Sequence, residues 1–96
     1  QQLMDQELPE EEREKIRAVV LSDTEVQDMH DLRTRMAGNK LFIQFHLELD
    51  GAMTLTNAHE VADRVEAAVR EAFPGSEVLS HQDPAGLETI TEFERT

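Results

Sequence analysis

The chain has 96 residues, no cysteine and a formal net charge of −12, with 21 Asp and Glu against nine Lys and Arg. That length suits one small domain with one modest core, and the missing cysteine excludes disulfides, thiolate zinc sites and cysteine nucleophiles together. The acidic balance excludes a binder of phosphate backbones, and four Phe with no Trp or Tyr leave no stacking platform for bases.

No stretch approaches the roughly 20 apolar residues of a membrane helix, and no signal-peptide core is present. The opening QQLMDQ, without an initiator Met, leads us to expect a piece cut from a longer protein. Residues 1–8 read as a flexible lead-in. In LPEEEREKIRAVVLS, Pro9 suits the first helical position, and Glu10, Glu11 and Glu12 suit the positive end of the helix dipole. Ile16, Val19 and Val20 then form a short apolar stripe.

The segment Glu25–Met36 has no helical period, and Ala37-Gly38-Asn39 supplies turn chemistry. LFIQFHLELD follows and alternates cleanly. Leu41, Ile43, Phe45, Leu47 and Leu49 share one face, and Phe42, Gln44, His46, Glu48 and Asp50 share the other. The two segments predict a β-hairpin.

A helix is expected over Leu55–Phe73, with Thr54 as N-cap and an apolar stripe of Leu55, Ala58, Val61, Ala62, Val65, Ala68, Val69 and Ala72. Pro74-Gly75 stops it. A last strand over about Ser76–Asp83 is followed by an acidic tail, residues 85–96, expected to be weakly ordered. The order α-β-β-α-β predicts an α+β fold: a small mixed three-stranded sheet with two helices on its aliphatic face. The β-α-β crossover makes its two strands parallel.

Four histidines are the compositional oddity. His46 sits on the polar face of its strand, so it is not a core histidine. In VLSHQDP, His81 and Asp83 are i and i+2 on one strand and share a face. His59 has Asp63 at i+4 on the same helix side, a contact that explains both without any ligand. His30 opens HDLRTR, where Arg33 and Arg35 invite either an anion or ordinary ion pairs.

Imidazole and carboxylate are zinc ligands, and they serve iron and manganese as well. An acidic domain also attracts divalent cations. Spacing alone leaves a metal site and solvated His–Asp pairs both open, because the ligands are scattered rather than grouped as in H-E-x-x-H. No G-x-S-x-G, P-loop or G-x-G-x-x-G occurs, so no enzyme is expected.

HDLRTRMAG, FIQFHLELD, AHEVADRVE, FPGSEV and HQDP in succession resemble the C-terminal cytoplasmic domain of bacterial cation diffusion facilitators, in their ferrous-iron and zinc efflux branch. The resemblance covers about residues 9–84. It implies a metallochaperone-like (ferredoxin-like) fold from a proton-coupled divalent-cation exporter, placed at the cytoplasmic face of the bacterial inner membrane. It implies a homodimer, attached to the transmembrane domain of the same full-length chain, that binds regulatory zinc, with iron, cadmium or manganese as alternatives.

The ligands it implies are His30, His46, His59, His81 and Asp83, with Gln82 as a candidate supporting residue. Neutral imidazoles are required, so binding is expected to fade as pH drops toward about 6. Other readings are a dimerisation scaffold with a weak or vestigial site, an amino-acid-sensing domain and, last, a metallohydrolase.

Overall fold

The computed structural model describes residues 7–86. Over them the chain runs α1 (Glu10–Leu21), β1 (Asp28–Ala37), β2 (Lys40–Leu49), α2 (Leu55–Ala72) and β3 (Glu77–Pro84). The order and element types are those expected from the sequence. Most of the lead-in and nearly all of the acidic tail, with its expected weak order, lie outside the described residues.

Pro9 stands one position earlier than expected. It is the extended residue ahead of α1, with φ −58° and ψ 154°, and not the first helical residue. Its fixed φ suits that bend, and its carbonyl accepts from the Glu12 and Arg13 amides at 3.0 and 3.1 Å. Thr54 caps α2 as expected, its Oγ1 accepting from the Asn57 amide at 3.1 Å.

β2 is the central strand. It pairs with β1 antiparallel and with β3 parallel, giving the order β1-β2-β3. Ile43, Phe45, Leu47 and Leu49 on its inner face are buried against Ile16 and Val20 of α1 and Val61, Ala62, Val65 and Val69 of α2. Each such side chain removed from water contributes about 1.5–3 kcal/mol. Both helices therefore cover one face of the sheet, and among the described residues the other face is open. Leu55, expected in the α2 stripe, is instead 82% exposed, because it lies in the first turn, beyond the reach of the core.

One irregularity shapes the open face. Between His30 and Arg33, β1 carries an extra residue relative to β2, and Asp31 adopts φ 56°. This bulge keeps His30 and Arg33 on the same outer face, although their odd spacing would separate them on a regular strand. It also explains why Glu25–Met36 shows no clean alternation in sequence.

Candidate metal centre

Strand register decides which outer-face side chains meet. His30 pairs with His46 and His46 with His81, while Asp28 pairs with Glu48 and Glu48 with Asp83. Two rows thus cross the sheet side by side, one of imidazoles and one of carboxylates. Successive rings stack at 4.8 and 4.9 Å, which is the spacing of neighbouring strands. Like charges directly opposed across strands are destabilising, so the acid row is an arrangement that a cation would relieve.

The rows converge on Asp83. Its Oδ2 accepts from His46 Nδ1 at 2.9 Å and lies 3.6 Å from His30 Nε2. One donor atom each from His30, His46 and Asp83 fall within 4.8 Å of one another, and all three residues are half-buried. With bonds of about 2.0–2.1 Å and tetrahedral angles, ligand atoms around zinc stand roughly 3.3 Å apart. The distances from Asp83 to the two rings bracket that value. The two nitrogens and one oxygen present therefore fit a divalent cation of the zinc type, with a fourth position left for another donor.

Of the five ligands that the family resemblance implies, the fold brings these three together. His81 stands beside them, its ring against that of His46 but exposed. His59 is elsewhere. It projects from α2, on the layer behind the sheet, 71% exposed, with its Nε2 3.3 Å from Asp63 Oδ2. Within one chain the helix and the open face are separated by the core, so His59 meets none of the other four.

The family model for the cytoplasmic domain of cation efflux proteins matches residues 8–85. The chain belongs to that family. A cation-efflux pump FieF from Shewanella oneidensis is 47% identical over 92 residues, covering 96% of this chain and 31% of the pump. Protein p34 of Rickettsia rickettsii is 46% identical over 91 residues, 95% of this chain and 30% of that protein. This cytoplasmic domain therefore spans less than a third of these curated relatives.

Among solved structures, the zinc form of CzrB, described as a candidate zinc transporter, is similar with a TM-score of 0.78 at 40% identity, covering 86% of this chain and 96% of that one. The metal-bound C-terminal domain of the CzcD transporter from Thermotoga maritima gives 0.73 at 28% identity, with 82% and 96% covered. The mixed sheet with two helices on one side is the architecture of such efflux-protein domains.

Two carboxylates of the candidate site escaped sequence reasoning. Glu48 accepts from His30 Nδ1 at 2.9 Å and is only 14% exposed. Its signal was available, since it is i+2 from His46 on the same strand face. Asp31 sits 3.9 Å from His46 Nε2. Only the bulge brings it there, and no pattern in HDLRTR announces a bulge. Arg33 Nε donates to Asp31 at 3.0 Å and holds its carboxyl below the ordinary range.

The Arg pair is thus accounted for without an anion, since Arg35 stacks on the Phe42 ring at 4.4 Å from its centroid. A hollow of about 140 Å³ lined by Asp31, Arg33, Gln44, Phe45, His46 and His81 adjoins the imidazoles. A larger one, of about 610 Å³, lies past Gln44 over Arg35, Phe42 and Leu79, away from the three donors.

Proposed function

We propose that this domain senses divalent metal for a proton-coupled cation exporter at the bacterial inner membrane. In this reading His30, His46 and Asp83 hold zinc, or alternatively iron, cadmium or manganese. His81 serves as a neighbouring ligand, and His59 is supplied by a second copy of the chain. The observation that carries the reading is the convergence of two imidazoles on Asp83 on the sheet face opposite the helices. The zinc form of CzrB and the family's description as cation efflux proteins support it.

A bound cation would supply positive charge to the Asp28–Glu48–Asp83 row. The chain's own residues do the rest. Were the cation held through His46 Nδ1, that nitrogen's proton would have to move to Nε2 so that the imidazole stays neutral, and Asp83 Oδ2 would be the oxygen shared between the two rings. With repulsion along the row removed, two such faces can approach each other in a dimer. The ligand shifts that equilibrium only by its differential affinity for the closed arrangement.

A zinc titration of the metal-stripped chain by calorimetry tests this. At least one saturable equivalent per chain, lost in His46→Ala, is expected, together with metal-dependent compaction in small-angle scattering. Absence of saturable binding would remove the sensing role. A second reading, a dimerisation scaffold that needs no metal, is favoured by one observation. Leu79, 50% exposed, lies on the same open face as Phe42 and offers apolar contact. A metal-free chain that sediments as a dimer, unchanged by zinc, would choose it.

A further inference from the structure

Glu48 has no place among the expected ligands, yet it is the least exposed carboxylate at the site. Its side chain is 14% exposed, against 32% for Asp83 and 44% for Asp31. A mostly buried carboxylate needs partners. On the acid row its direct neighbours are Asp28 and Asp83, which repel it. Its hydrogen bond from His30 supplies a favourable contact.

An ionised carboxylate can only accept hydrogen bonds, so the proton between Glu48 and His30 sits on Nδ1. A neutral imidazole carries one N–H, so His30 Nε2 then presents its lone pair. That nitrogen is the one that lies 3.6 Å from Asp83 Oδ2. The contact therefore selects both the ring's tautomer and the nitrogen aimed at the three-donor site.

We propose that Glu48 is a positioning residue of the metal site: it locks His30 as the Nδ1–H tautomer so that Nε2 is the ligating atom. Metal-binding histidines generally donate their second N–H to such a partner, which raises the ligand's basicity and fixes the ring. The inference rests on the metal-sensing reading above and deepens it.

Asp31 supplies an internal contrast. It is placed toward the free nitrogen of His46, but at 3.9 Å, outside hydrogen-bond reach, and its carboxylate is already occupied by Arg33. His46 is accordingly held through Asp83 rather than through Asp31.

The test uses the 96-residue chain, and Glu48→Gln keeps the shape of the side chain. Long-range ¹H–¹⁵N correlation spectra of the metal-free chain, recorded in mildly alkaline buffer, report the His30 tautomer. Nδ1–H should dominate in the natural sequence and lose that dominance in Glu48→Gln. Zinc affinity by chelator competition should fall roughly 10–100-fold in Glu48→Gln. It should change much less in Asp31→Asn, since Asn tolerates the left-handed backbone there.

His30 found as Nε2–H in the metal-free natural sequence, or bound to zinc through Nδ1, would overturn the proposal. So would an unchanged affinity in Glu48→Gln. Failure of the natural sequence to bind zinc would instead overturn the sensing role, while the metal-free tautomer still decides whether Glu48 holds His30.

Discussion

The two faces of β2 are made from alternate residues of one strand and do opposite jobs. Ile43, Phe45, Leu47 and Leu49 look inward and are fully packed beneath two helices. Gln44, His46 and Glu48 look outward into a surface that no part of the described chain covers. The inner face gains stability by satisfying every neighbour. The outer face sets three carboxylates in a row and leaves two imidazoles facing one of them. Concentrating repulsion there is tolerable because the other side of the same strand secures the fold. The lesson is that the residues that fold the domain and those that form the candidate metal centre are separable here to an unusual degree, and substitutions should sort by face.

The largest effect should come from the inner face. Phe45→Ala, at a fully buried central position, should cost about 3–5 kcal/mol and come close to unfolding so small a domain, as urea denaturation would register. On the outer face, zinc at a hundred times its dissociation constant should raise stability by about 2.7 kcal/mol, seen as a higher thermal midpoint and reversed by chelator. Asp83→Asn should abolish that rise.

The same Asp83→Asn chain, free of metal, sharpens the contrast. It removes one charge from the acid row, so its stability should stay level or rise by up to about 1 kcal/mol. A clear loss of metal-free stability would mean that the two faces are coupled after all.

The smallest effect belongs to neither face. Arg64 Nε and Nη2 donate to the Asp23 carboxylate at 2.6 and 2.9 Å, tying α2 to the loop after α1. The hydrogen bonds from Arg64 hold the Asp23 carboxyl below its ordinary value of 3.8. Its stabilisation is thus complete above that value and is lost as pH falls through the depressed one. Asp23→Asn should flatten this part of the acid limb in a pH-dependent melting series, while shifting the neutral-pH midpoint by no more than a few degrees.

Much of this organisation is legible in the sequence. The period of LFIQFHLELD fixed β2 and both its faces, and Thr54 with the Val61–Val65–Val69 stripe fixed α2. Even the burial of the inner face follows from alternation alone. Asp31 is the counter-example. Its approach to His46 depends on an extra residue in β1, and the sequence of that strand reads only as irregular.

His59 shows the same limit from the other direction. Its residue type suits a ligand, yet its place on α2 puts the whole core between it and the rest. Leu55 fits the helical stripe by number and still faces water, because periodicity says nothing about where a packed layer ends.

The sequence by itself determined the elements, their order and the polarity of each face, because these depend on intervals of two to four residues along one strand or helix. Only the tertiary structure decided that His30, His46 and Asp83 meet, since they lie on three different strands. Their meeting depends on the antiparallel register of one strand pair and the parallel register of the other. A one-residue slip in either would turn a ligand to the opposite face. Register is set by the packing of the buried side, so the candidate metal centre is positioned by residues that never touch it.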